Sequence, residues 1–204
     1  LGIMVDISHI SKKSALDAIK LSKAPVIASH SGARAVNDNP RNLDGETLLA
    51  LKQNGGVVQC VALGEFVKTL PVPPERQEAV AALRKEFGLP EGRGGMRRAG
   101  QYFSEEQIAR FRERMRGIDS TYPLPPVTVQ DFVNHIDHVV KLIGVEHVGI
   151  SSDFDGGGGI QGWKNAAETF NVTFELVRRG YSEQDISKLW GGNLLRVWHG
   201  VEKV

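Results

Sequence analysis

The 204-residue chain has little of several things, and each shortage excludes a class. One cysteine, Cys60, rules out an internal disulfide framework and any Cys-rich zinc module. No run approaches the roughly 20 continuous apolar residues a membrane helix needs, so no transmembrane segment is expected here. Charge of one sign is also lacking. The 25 Lys and Arg are balanced by 24 Asp and Glu, for a net charge of +1, so electrostatic nucleic-acid binding is not expected. No basic leader followed by an apolar run opens the sequence, which starts with Leu rather than Met. We therefore read it as part of a longer chain, with the compartment left open.

What is present is a rhythm. Ile3–Ser8, Pro25–Ser29, Gly56–Leu63 and His147–Ser152 are short and nearly continuously apolar, as parallel strands buried on both faces are. Helical patterns separate them. Ser11 heads one that ends near Ser22, Asp44 heads one stopped by Gly55-Gly56, and a third spans Thr128 to Ile143. Two more follow, about Ala166–Arg179 and Ser182–Trp190. Strand and helix in alternation mean βα units on a parallel sheet. An open doubly wound sheet would normally place a Gly-rich phosphate turn after its first strand. This one ends Asp6-Ile7-Ser8-His9, which favours the barrel. The fold expected is α/β, about four βα units forming the C-terminal half of a TIM-like (β/α)8 barrel.

Residues 65–126 break the rhythm. Seven of the nine prolines lie there, with two charged helical patterns, about Glu75–Phe87 and Ser104–Gly117, joined by Gly92-Arg93-Gly94-Gly95. We read this stretch as a helical insertion in a βα loop, within a single partial-barrel domain spanning 1–204. Its run Arg110-Phe111-Arg112-Glu113-Arg114-Met115-Arg116 is read as a solvated helix face with charge pairs at i,i+3 and i,i+4 rather than a nucleic-acid contact.

Barrel enzymes build their sites at the C-terminal ends of strands. That rule selects Ser8-His9, Ser29-His30 and Asp153-Phe154-Asp155-Gly156. Imidazole and carboxylate from different strands suit Zn²⁺. His9 and His30 are the candidate metal ligands. Arg41, in the turn-like Asn39-Pro40-Arg41-Asn42, suits capture of a substrate carboxylate. Asp153 suits proton transfer or holding a substrate ammonium group. The glycines at 156–159 are read as a mobile loop. His135 and Asp137 sit two apart on a helix, where side chains diverge, so neither is expected to bind metal. Cys60 is expected in the core, and the glycosylation-like Asn171-Val172-Thr173 is read as accidental.

These residues fall in blocks that resemble the membrane (renal-type) dipeptidases, the zinc dipeptidases of peptidase family M19. The blocks are Val5-Asp6-Ile7-Ser8-His9-Ile10-Ser11, Ala24-Pro25-Val26-Ile27-Ala28-Ser29-His30-Ser31 and Pro40-Arg41-Asn42-Leu43. Further along come Asn134-His135-Ile136-Asp137-His138, Val148 through Gly156, and Gly192-Asn193-Leu194-Leu195-Arg196-Val197. The resemblance implies hydrolysis of a dipeptide at a two-zinc centre, where the metals polarise the scissile carbonyl and lower the pKa of a bridging water. His9 and His30 would hold one zinc, Arg41 the substrate's terminal carboxylate, and Asp153 would face the water and the amino end. The family's other ligands, a His-x-Asp pair and a bridging Glu, have no counterpart here. This chain alone is therefore expected to bind zinc weakly and to lack activity without the N-terminal half of the same barrel. A homodimer is compatible by analogy. Where the renal-type enzymes carry Tyr after the third strand of this chain, Phe66 stands. Two rival readings are a catalytically silent barrel that binds a small peptide or metabolite, and a phosphate-binding half-barrel using the glycines.

Overall fold

The computed structural model describes residues 2–89 and 103–204. Ser11, Asp44 and Thr128 each accept a backbone N–H three residues on, and so start α1 (Lys12–Leu21), α2 (Gly45–Asn54) and α6 (Val129–Ile143). Such caps satisfy donors that a helix start otherwise leaves open. Around these helices, the chain runs from α1 to β1 (Ile27–Ser31), α2, β2 (Val57–Val61), α3 (Gly64–Val67), α4 (Pro74–Glu86) and α5 (Glu105–Thr121). After α6 come β3 (Val148–Ser151), α7 (Phe170–Arg178), α8 (Glu183–Ser187) and α9 (Asn193–Val201). The expected linker Gly92–Gly95 lies outside the described residues.

Two compact units result, residues 1–69 with 126–204, and residues 70–125. In the first, β1, β2 and β3 form a parallel sheet in that order, with Ile27 beside Val57 and Val58 beside Val148. Its main core gathers Ala28, Val58, Cys60 and Ile150 with Leu48, Leu51, Phe132, Ile136, Leu176 and Leu189. A smaller cluster packs Ile27 and Val57 on Val197 and Val201 of α9.

The expected first strand is reduced to an extended segment. Asp6 bridges Ile27 in parallel, and Ile7 N–H and Ile27 N–H exchange bonds with Ile27 and Val5 carbonyls at 2.8 and 2.9 Å. Ile3 and Val5 are 74% and 41% exposed, whereas Ile7 is buried. The segment has a neighbour on only one side among the described residues, and a strand needs repeated pairing to be one.

Two helix ends also differ from expectation. Residues 166–168 form a single 3₁₀ turn before α7. Gly191-Gly192 does not stop the chain's helical course, which continues through a π turn at Lys188–Gly192 into α9. Asn193 fastens this junction by donating to the Val145 and Val148 carbonyls at 2.7 and 2.8 Å.

The second unit packs α4 on α5 around Leu83, Leu89 and Phe111. Phe87 meets Phe111 edge-on, with centroids 5.2 Å apart. Arg110 and Arg114 pair with Glu86 on the facing helix at 3.4 and 3.1 Å, not within their own helix as the spacing suggested.

Candidate metal-binding site

His9 follows the extended segment and His30 lies in β1, so adjacent backbones carry both rings to one edge of the sheet. Their Nε2 atoms are 2.6 Å apart, with centroids at 4.6 Å and ring planes inclined by 56°. Two imidazole nitrogens face each other so closely only with a proton or a cation between them. Two nitrogens of a tetrahedral zinc site sit about 3.3 Å apart at normal Zn–N lengths, so a small opening of the pair admits the ion. The donor type fits zinc; the donor number is half of what a closed site needs. Among the described residues, no group of three or more His, Cys, Asp or Glu is arranged to hold a metal.

The backbone at this edge is unusual. His9 and Asp153 are the only described non-glycine residues with positive φ, at 67° and 53°. Left-handed backbone is uncommon outside glycine, and where it persists it is often part of a site. Asp153 is held in that conformation by its own loop. Its carbonyl accepts from Gly156 N–H at 3.0 Å and Gly158 N–H at 2.7 Å, while Gly159 N–H reaches Ala62 O at 3.0 Å. The glycines are thus a pinned turn rather than the free loop their sequence suggests. A Cβ on Gly156 would run into the Asp153 carboxylate, and one on Gly158 into the Ser152 carbonyl.

Behind His30 lies a set of residues that motif reading missed. Ser29 Oγ–H donates to Asp6 Oδ2 at 2.6 Å, and Ser29 Oγ is 2.7 Å from His30 Nδ1. The other Asp6 oxygen, Oδ1, accepts from the backbone N–H groups of Ser8 (2.9 Å) and Ser29 (3.0 Å). Burial pushes the Asp6 carboxyl up, but these hydrogen bonds outweigh it and hold it below its ordinary value. The available signal was a carboxylate and serines set in otherwise apolar strand runs.

Arg41 is placed by an asparagine clamp. Asn39 Oδ1 accepts the Arg41 N–H at 3.0 Å. Asn37 Nδ2 and Asn42 Nδ2 donate to the Phe66 carbonyl at 3.0 and 2.8 Å, and Asn39 Nδ2 donates to that of Glu65 at 3.0 Å. All three asparagines are buried. The clamp sets the Phe66 ring beneath the guanidinium, 5.3 Å from Cζ to centroid, a cation–π arrangement. Burial pulls the Arg41 pKa down, opposed by attraction to Asp153 and Asp6. Asp153 is thus tied to Arg41 by charge attraction. Arg41 Nη2 is buried without a hydrogen-bond partner, as is Arg34 Nε. Both residues line a cavity of about 30 Å³, room for a water or a carboxylate oxygen rather than a side chain.

Other candidates resolve into structure. His135 Nδ1 accepts Ala33 N–H at 3.0 Å, so its Nε2–H donates to Val67 O at 2.8 Å. Asp137 binds Arg179 and the Tyr181 hydroxyl at 2.6 and 2.8 Å. Cys60 lies fully buried in the core, where burial pushes its thiol up to about 12. Asn171, in the first turn of α7, donates from Nδ2 to the Gly162 carbonyl at 2.7 Å.

Residues 1–204 match the family described as Membrane dipeptidase (Peptidase family M19). The chain belongs to that family. It is 31% identical over 206 residues to an uncharacterised dipeptidase of Schizosaccharomyces pombe, covering all of this chain and 37% of that protein. Among solved structures, the probable dipeptidase PvdM from Pseudomonas aeruginosa superposes with a TM-score of 0.75 at 39% identity, over 99% of this chain and 51% of that one. A Rhodobacter sphaeroides metallopeptidase, solved with a phosphinate mimic of the dipeptide L-Ala-D-Ala, gives 0.68 at 22% identity over 98% and 43%. That last likeness shows the fold alone. The chain therefore spans about a third to a half of the length of these proteins.

Proposed function

We propose that this chain supplies half of a zinc dipeptidase site: His9 and His30 as ligands of one ion, Arg41 as the anchor for a dipeptide's terminal carboxylate, and Asp153 as the group facing the attacking water and the substrate's amino end. The observation that carries this reading is the convergence of the two Nε2 atoms to 2.6 Å where the extended segment runs beside β1. Zinc, when bound, supplies a Lewis acid for the scissile carbonyl and lowers the pKa of water. The chain's own residues do the rest.

Arg41 keeps a buried Nη2 donor unmatched, which is costly unless a partner arrives. A carboxylate is the natural one, and the Phe66 ring and the asparagine clamp hold the guanidinium ready for it. Asp153, within the electrostatic field of Arg41, is an acceptor for a proton or an ammonium group. Its left-handed backbone and the pinned glycine turn fix where its carboxylate sits.

The remaining ligands belong, in this reading, to the N-terminal half of one (β/α)8 barrel. The relatives extend well beyond this chain's span, and the exposed Ile3 and Val5 form the edge onto which that half would pair. Residues 65–126 are a helical insertion in the same domain. The chain alone would then bind zinc weakly and leave dipeptides intact, whereas the complete protein would do neither.

Zinc content and dipeptide hydrolysis, measured side by side on this chain and on the complete protein, test the proposal. Zinc and turnover in the complete protein, both lost on His30→Ala, support it. A complete protein that takes up no zinc yet binds a small peptide through Arg41 would support a silent barrel instead.

A further inference from the structure

We propose that Asp6 and Ser29 are positioning residues that lock His30 into one tautomer, with its proton on Nδ1 and its Nε2 lone pair always turned toward His9. The proposal rests on the reading of His30 as a zinc ligand, but its core is a matter of proton counting. The Asp6 carboxylate, ionised near neutrality, has no proton to give and can only accept. The single Ser29 hydroxyl proton is therefore committed to Asp6 Oδ2, at 2.6 Å. The contact between Ser29 Oγ and His30 Nδ1, at 2.7 Å, then has one reading: Nδ1–H donates and Oγ accepts. A neutral imidazole with its proton on Nδ1 carries its lone pair on Nε2, the atom that lies 2.6 Å from His9 Nε2. Ligating histidines generally donate their second nitrogen to such a partner, and the partner sets which tautomer prevails. Here a serine passes the instruction from the carboxylate to the ring.

The rest of the Asp6 environment makes the relay directional. Oδ1 already accepts two backbone N–H groups, from Ser8 and Ser29. An asparagine at position 6 must keep its oxygen there, because an amide N–H₂ cannot face two N–H donors. Its nitrogen would then occupy the Oδ2 position and donate to Ser29 Oγ. The serine proton would turn to His30 Nδ1, and the ring proton would move to Nε2, the wrong nitrogen for a metal. Asp6→Asn should therefore do more harm than simple removal of the serine hydroxyl, although it preserves shape better.

The test uses the complete protein in two measurements. The first is the ¹⁵N chemical-shift signature of the His30 ring in metal-free protein, which reports the tautomer without reference to activity. The second is zinc affinity by competition with a chelator. The relay predicts an Nδ1–H signature in the wild type, an Nε2–H signature in Asp6→Asn, and a mixture in Ser29→Ala. It predicts zinc affinity lowered roughly 10- to 100-fold in Ser29→Ala, lowered further in Asp6→Asn, and largely restored in Ser29→Thr, which returns a hydroxyl. An unchanged tautomer and unchanged affinity in both Asp6→Asn and Ser29→Ala would overturn the relay. Unchanged zinc affinity in His30→Ala would instead overturn the ligand assignment beneath it, and the ring's ¹⁵N signature would still decide for or against the lock.

Discussion

The surroundings of His30 and of His135 are built from the same materials: an imidazole, small polar side chains and backbone groups, set between strand and helix. They differ in where the hydrogen bonds stop. Around His135 both ring nitrogens are spent on backbone groups, Ala33 N–H and Val67 O, and burial lowers the ring's pKa, partly offset by the bond to Val67. It stays neutral and joins distant segments. Around His30 only Nδ1 is anchored, to Ser29, and Nε2 turns toward a second imidazole. A histidine with two backbone partners is a pin; one whose second nitrogen faces another imidazole has the arrangement the proposed ligand role needs.

The sharpest way to break this comparison is to remove each ring. Outer partners of a ligating histidine typically control 10- to 100-fold in metal affinity, so His30→Ala in the complete protein should cost more than about 100-fold in zinc affinity, with turnover lost alongside. His135→Ala should leave zinc affinity within about threefold by the same scale. It strands two buried backbone groups, at about 1–3 kcal/mol each, so the complete protein should lose roughly 2–5 kcal/mol of stability in urea unfolding. Equal losses of zinc in both variants would erase the distinction.

Next in size is Arg41→Met. Loss of a charge-assisted contact of about 1.5–3 kcal/mol should raise KM for dipeptides roughly 10- to 100-fold, with a smaller change in kcat. A change in kcat alone would place Arg41 outside substrate binding. Gly156→Ala follows, because the added Cβ meets the Asp153 carboxylate. On the role proposed for Asp153, its displacement should lower kcat about tenfold while zinc content stays intact.

The smallest effect is a structural one, shown by the acid limb of stability. Hydrogen bonds from Arg178, opposed by burial and joined by Arg179, bring the Glu175 carboxyl down from 4.5 to about 2. A carboxyl lowered on folding contributes stability above its unfolded value, and that contribution is lost as pH falls from about 4.5 toward 2. Glu175→Gln should therefore destabilise the protein near neutrality and flatten the urea-unfolding profile across that window. An unaltered slope would show the pair to be screened.

Much of this was legible in the chain. The helix starts at Ser11, Asp44 and Thr128 could be read because a capping side chain is a local signal. That His9 and His30 lie side by side could be read because both follow apolar runs that line up next to each other. The extended segment before His9 reads as a strand from composition, but pairing depends on neighbours that composition does not carry. The asparagine clamp on Phe66 and the Asp6–Ser29 relay escaped because each links residues 23 to 29 positions apart, by side-chain bonds with no period or spacing. The course through Gly191-Gly192 was missed because two glycines ordinarily end a helix, whereas here Asn193 bonds to Val145 and Val148 and holds the turn in place.

The central claim is that His9 and His30 share one ion, and anomalous scattering at the zinc edge, from crystals of the complete protein, tests it most directly. The account predicts a peak about 2.0–2.1 Å from both Nε2 atoms. A zinc peak bound to neither ring, or to only one of them with the other turned away, would contradict it.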